Sequence, residues 1–185
     1  LGTESGLLIS TNKGESFKKI YIDPTAPENN DNHFYNCFLN KKELVACTTW
    51  HGVFVLNPKS HKFSETEIGA AESSQVSFDS EGRLYVVDMD SIYRSDKSLK
   101  EFKSYKEEWG LDTVEISDCF VDSKDRIFGH SYKALAIKNS NDRKFRKLNF
   151  PGSLKELNHH TKMFESPSGD LYLVSWMYPY GDLAD

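Results

Sequence analysis

The chain has 185 residues, of which 38% are hydrophobic and 13% aromatic, with a formal net charge of -5. That acidic balance offers no general attraction for phosphate backbones or anionic lipid, which excludes nucleic acid and the membrane surface as natural partners. No apolar run approaches the roughly 18 residues of a spanning helix, and Cys37, Cys47 and Cys119 lack metal-ligand spacing, so no metal or cofactor is expected. The 12 Phe and 9 Tyr favour β structure over helix.

The chain opens on Leu1-Gly2-Thr3, with neither Met nor a basic leader, and reads as a start inside a longer polypeptide. Its first unit, Gly6-Leu7-Leu8-Ile9-Ser10 up to Phe17, is a short apolar strand, a polar turn and an aromatic. That unit returns as Gly52-Val53-Phe54-Val55-Leu56 up to Phe63, as Ser91 to Ser95 up to Phe102, and as Ala134 to Lys138 up to Phe145. Between these copies lies a second unit, an apolar residue, a polar turn and a strand. It reads Phe38 to Val45, then Phe78-Asp79-Ser80-Glu81-Gly82-Arg83-Leu84-Tyr85, then Val121-Asp122-Ser123-Lys124-Asp125-Arg126-Ile127-Phe128, then Glu165 to Val174. Asp, Ser, Asn and Gly bond to their own backbone or accept positive φ, so the strands reverse at these turns. Leu44, Leu84, Ile127 and Leu171 open the strands at a spacing of roughly 40 residues, the period of propeller blades.

Two hairpins per period make four strands per blade. The expected fold is therefore all-β, a β-propeller segment of about four blades, with blade portions near 1–33, 34–74, 75–115, 116–162 and 163–185. Helix is expected at most as a turn or two at 106–113 and 152–160, and 23–33 reads as an inter-blade loop. The N-terminus supplies only a second hairpin and the C-terminus only a first one, so closure of four blades by pairing of the ends competes with membership of a larger propeller. Cys37 and Cys47 face each other across a hairpin, either as a disulfide or as two buried thiols.

Function has to be argued from one face of such a fold rather than from the fold itself. The mid-blade loops at 4–5, 50–51, 88–90, 132–133 and 176–180, with the inter-blade connections, form that face. Trp50, Trp109 and Trp176 fall in or beside it, joined by His51, Tyr132, Tyr178, Tyr180, His159 and His160. Flat aromatic faces stack on sugar rings while Asp, Asn and His serve hydroxyls, which points to an oligosaccharide or another small polar ligand. For each ring singly, sealing one blade against the next is the competing role. Asp88 and Asp90 complete the candidate binding set; as a carboxylate pair they are the only catalytic candidates, and no second positioned acid accompanies them, so no catalytic residue is assigned. Adjacent His159 and His160 point apart on an extended chain and suit a solvated loop better than a metal.

Leu1-Gly2-Thr3-Glu4-Ser5-Gly6-Leu7 with its polar turn and Phe17, and Cys47-Thr48-Thr49-Trp50-His51-Gly52-Val53, resemble the repeat of two-component regulator propellers, whose core reads roughly W-I-G-T-x-x-G-L. Ser91 and Ala134 depart from it by replacing the Gly. Ser10-Thr11-Asn12-Lys13-Gly14-Glu15-Ser16-Phe17 resembles the Asp-box turn of sialidases, sortilin-type receptors and xyloglucanases, with Asn12 for Asp. The first resemblance implies the periplasmic or extracellular sensor region of a Bacteroides-type hybrid two-component system: part of a seven-bladed propeller, non-catalytic, sensing oligosaccharides. Its partners would be the remaining blades and signalling domains of the same chain, with a homodimer formed through the full-length receptor. The alternatives are a fragment of a propeller glycoside hydrolase or lyase, and a protein-binding propeller scaffold.

Overall fold

A computed structural model of the chain describes residues 1–40, 44–57, 59–69, 75–88, 91–111, 116–131, 134–149 and 161–174. Five antiparallel sheets follow one another along the sequence. Blade I holds β1 (Gly2–Thr3), β2 (Gly6–Ile9) and β3 (Lys18–Ile20). Blade II holds β4 (Phe34–Leu39), β5 (Val45–Thr49), β6 (Val53–Asn57) and β7 (Lys62–Glu65). Blade III holds β8 (Ser77–Phe78), β9 (Leu84–Asp88), β10 (Ser91–Ser95) and β11 (Phe102–Ser104). Blade IV holds β12 (Asp118–Val121), β13 (Ile127–His130), β14 (Leu135–Lys138) and β15 (Arg146–Leu148), and blade V holds β16 (Lys162–Glu165) and β17 (Leu171–Val174). Each sheet is a meander whose strands pair in chain order, and the 23–33 segment carries a short 3-10 turn at Asn30–Asn32. Such a series of up-and-down sheets is a β-propeller. Among the described residues, blades I and V remain separate sheets with no hydrogen bonding between them.

Strand periodicity explains the stacking of the blades, because alternate side chains leave opposite faces of each sheet. Ala46 and Phe38 of blade II pack against Val76, Leu84 and Val86 of blade III. On the other face of blade III, Tyr85 and Val87 meet Cys119, Val121 and Ile127 of blade IV. Phe120 and Phe128 of blade IV then meet Met163, Leu171 and Leu173 of blade V. Each fully buried aliphatic or aromatic side chain contributes about 1.5–3 kcal/mol, so these repeated interfaces hold the blades in series.

The turn between the first two strands is the most regular feature. The backbone amides of Asn40, Asp79, Asp122 and Ser166 donate to the carbonyls of Leu44, Arg83, Arg126 and Asp170. In return, the side-chain oxygens of Asn40, Asp79, Asp122 and Ser166 accept from the amides of those same four residues, at 2.8–3.1 Å. Asp79 and Asp122 also pair with the Nε of Arg83 and Arg126. Neighbouring turns are latched together. The Ser80 amide and hydroxyl donate to the Asp125 carboxylate, and the Ser123 amide and hydroxyl donate to Glu165.

At the other end of the inner strands, Gln75 forms a two-point bridge to β16. Its Nε2 donates to the Met163 carbonyl at 2.6 Å, and its Oε1 accepts from the Met163 amide at 3.1 Å. Asp118 accepts from the Gln75 amide and from Lys162 Nζ, the latter at 2.6 Å. Blades III, IV and V are thereby tied around a common axis.

Candidate functional site

The loop between β5 and β6 is shaped by its glycine. Gly52 has φ of 150°, and a Cβ there would lie 2.5 Å from the Ile68 carbonyl, so any other residue would collide with the connection leaving β7. The Thr49 amide donates to the Gly52 carbonyl at 2.8 Å, and Thr49 Oγ1 accepts from the His51 amide at 3.2 Å. This tight reversal pushes Trp50 outward; its surface is 46% exposed.

Trp50 does not stand by itself. The β4–β5 register shifts between Phe34 and Asn36, which makes Tyr35 the bulged residue. A bulge re-aims the side chain it carries, and here the Tyr35 ring lies 6.2 Å from Trp50, tilted by 36°. His33 stacks on Tyr35 at 4.6 Å. Three rings in series, ending in a half-exposed indole, form an aromatic shelf at the loop end of blade II. His33 and Tyr35 were not among the residues singled out in the sequence; the local signal was the break of alternation in the run His33-Phe34-Tyr35.

Trp109 takes the blade-sealing role that competes with ligand binding for each ring singly. It is 5% exposed and belongs to the core between blades III and IV. Tyr105 stacks on it at 4.2 Å, Phe145 lies at 6.1 Å, and the Arg94 and Lys138 cations sit over its ring at 5.9 and 5.0 Å. It seals two blades and presents nothing to a ligand. Asp88 is half-buried at the end of β9, and His51 adjoins Trp50 in its loop. Asp90, Tyr132, His159, Trp176, Tyr178 and Tyr180 lie outside the described residues, as does His160.

Two further polar groups are buried near the axis. Burial raises the Asp118 carboxyl to about 6, against the opposing pull of Lys162. Burial, reinforced by the Lys162 charge, lowers His130 to about 4, and among the described residues neither ring nitrogen of His130 has a hydrogen-bond partner. The axial cavity at the turn end, about 240 Å³, is lined by Phe38, Phe78 and Phe120 and by the turn carboxylates. Those carboxylates are already engaged by Arg83, Arg126, Ser80 and Ser123. Among the described residues, the loop end of blade II carries the half-exposed Trp50.

No protein-family model matches the sequence, and no curated protein matches it. Similar solved structures do exist. The extracellular domain of the hybrid two component system BT4673 from B. thetaiotaomicron shares 17% identity, with a TM-score of 0.64 over 93% of this chain and 23% of its own. The corresponding domain of BT3049 from the same organism shares 15%, with a TM-score of 0.62 over 93% of this chain and 24% of its own. YCF48 bound to D1 peptide shares 13%, with a TM-score of 0.61 over 90% of this chain and 53% of its own. The chain thus spans about a quarter of the length of the two extracellular domains. At these identities the likeness concerns the fold, and it agrees with the strand order and turn repeat: the chain folds as a β-propeller.

Proposed function

We propose that the chain is the ligand-recognition part of an extracytoplasmic sensor receptor, and that it binds an oligosaccharide without turning it over. The observation that carries this reading is the shelf of His33, Tyr35 and Trp50, whose outermost ring is half exposed. Indole and phenol faces pack against the C–H faces of pyranose rings, and the imidazoles of His33 and His51 supply polar atoms for hydroxyls. The similarity to the extracellular domains of hybrid two component systems supports a sensor role and a location outside the cytoplasm. Asp88, Asp90, Tyr132, His159, Trp176, Tyr178 and Tyr180 belong to the same proposed face.

Further blades are part of the proposal. Tyr85, Phe128 and Tyr172 occupy the same place after their turns, yet Tyr85 and Phe128 are each 4% exposed whereas Tyr172 is 48% exposed. Phe164 stacks on Tyr172 at 5.3 Å, and Val174 shares their exposed face. A following blade of the same polypeptide would cover this face as blade V covers Phe128.

Isothermal calorimetry with a glycan panel tests the binding role. Wild type is expected to bind at least one oligosaccharide saturably, with no product released. Trp50→Ala and Tyr35→Ala are expected to weaken that binding by about tenfold or more, the loss of a stacked ring. Turnover of the bound glycan, or unchanged affinity in both variants, would overturn the reading.

A further inference from the structure

Cys37 and Cys47 are directly opposed on β4 and β5. Their place in the hydrogen-bond ladder follows from the turn that joins the strands, where the Asn40 amide donates to the Leu44 carbonyl. Bonded and non-bonded pairs alternate along an antiparallel ladder. Counting outward from Asn40 and Leu44, Phe38 and Ala46 form a bonded pair, and Cys37 and Cys47 a non-bonded one. Non-bonded pairs bring Cα atoms to about 4.5 Å and side chains closest together, within the Cα range of about 4.4–6.8 Å that a disulfide spans.

Both cysteines are reduced thiols here, Cys47 fully buried and Cys37 partly exposed. The two side chains are hydrogen-bonded to each other, which lowers the Cys37 pKa and raises that of Cys47. Cys37 lines the axial space beside Asn36 and Phe38, so a small reagent has a route to it. It also sits beneath the first strand, where a Cβ on Gly2 would lie 3.3 Å from Cys37 Sγ. Cys119, by contrast, is buried in the core between blades III and IV and has no cysteine neighbour in its cluster.

We infer that Cys37 and Cys47 form a redox-active dithiol that closes to a cross-strand disulfide by exchange with a small disulfide oxidant. The Cys37 thiolate attacks one sulfur of the oxidant; a mixed disulfide forms on Cys37, and one thiol leaves. The Cys47 sulfur, losing its proton to solvent, then attacks Cys37 Sγ and displaces the second thiol. Two protein thiols and one oxidant disulfide give one protein disulfide and two small thiols. Cross-strand closure at a fixed ladder spacing holds the bond under constraint, and constrained disulfides are the readily reduced ones. The inference concerns blade II chemistry and stands whether or not the aromatic shelf binds sugar.

The test is incubation of the full chain with a glutathione redox buffer, quenching by acid, and peptide mapping by mass spectrometry. The expected product is monomeric and about 2 Da lighter, with a Cys37–Cys47 linkage, and denatured samples lose two of the three titratable thiols. Dithiothreitol restores all three. Cys47→Ser is expected to stop at a glutathione adduct on Cys37, and Cys37→Ser to leave Cys47 unmodified. A retained near-ultraviolet circular dichroism spectrum shows that each variant has folded, and Cys47→Ala serves if Cys47→Ser has not. Three persistent thiols, a stable glutathione adduct on the wild type, or a linkage through Cys119 would each overturn the inference.

Discussion

Trp50 and Trp109 occupy opposite environments although the repeat assigns both to the loop end of the blades. Beside Trp50, the Gly52 reversal is too tight to carry a covering side chain, and the bulge at Tyr35 adds a second ring to the same shelf. Beside Trp109, the connection after β11 folds back so that Tyr105 and Phe145 close over the indole. The Trp109 amide donates to the Tyr105 carbonyl and its carbonyl accepts from the Phe145 amide, which fixes that fold-back. An aromatic residue's position in the repeat therefore does not decide its role; the segments that pack around it do.

The largest expected effect tests the buried side of that contrast. Trp109→Ala empties the junction of blades III and IV and should lower unfolding free energy by about 4 kcal/mol, measured by urea denaturation. Next comes the turn end. Asp122 is fully buried, accepts from the Lys124 and Arg126 amides and pairs with the Arg126 guanidinium. Asp122→Ala strands those donors and should cost about 3 kcal/mol.

A third prediction uses acid. His130 titrates at about 4 when folded, against 6.5 for the unreacted side chain, so its neutral form is favoured by folding. The stability it contributes is present above pH 6.5 and is lost as pH falls through that window towards 4, by up to about 3 kcal/mol. Asp118 acts oppositely, since its carboxyl rises from 3.8 to about 6 and the folded state gains stability as pH falls through that interval. Val87 and Val174 hold the place of His130 in their own blades, so His130→Val should fold normally at pH 7. Between pH 6 and 4 the two effects nearly cancel in wild type, whereas the variant should gain stability as pH falls because Asp118 is no longer opposed; a variant profile parallel to that of wild type would show that His130 does not contribute. The smallest effect on stability belongs to the exposed tryptophan: Trp50→Ala should change unfolding free energy by no more than about 0.5 kcal/mol, in contrast to Trp109→Ala.

The blade period, the strand order and the turns were legible because they depend on local chemistry. Asp79, Asp122 and Ser166 each bond to the backbone of their own turn, and alternating apolar residues declare the strands on either side. The candidate site was only half legible. Trp50 was identifiable because Gly52 marks a tight reversal next to it. His33 and Tyr35 were hidden because a bulge has no fixed residue signature, and its effect depends on the register of β5. That sealing rather than ligand contact is the role of Trp109 could not be decided from sequence, because its partners Tyr85, Tyr105 and Phe145 come from three separate segments that only packing brings together.

The central proposal is that the exposed shelf at Trp50, and not the buried junction at Trp109, takes part in ligand binding. Acrylamide quenching of tryptophan emission, recorded while a panel of oligosaccharides is titrated into wild type and Trp50→Phe, tests it directly. Saturable protection by at least one sugar in wild type, reduced in Trp50→Phe, is the predicted result. Protection undiminished in Trp50→Phe, or a sugar that binds without protecting any indole, would contradict it.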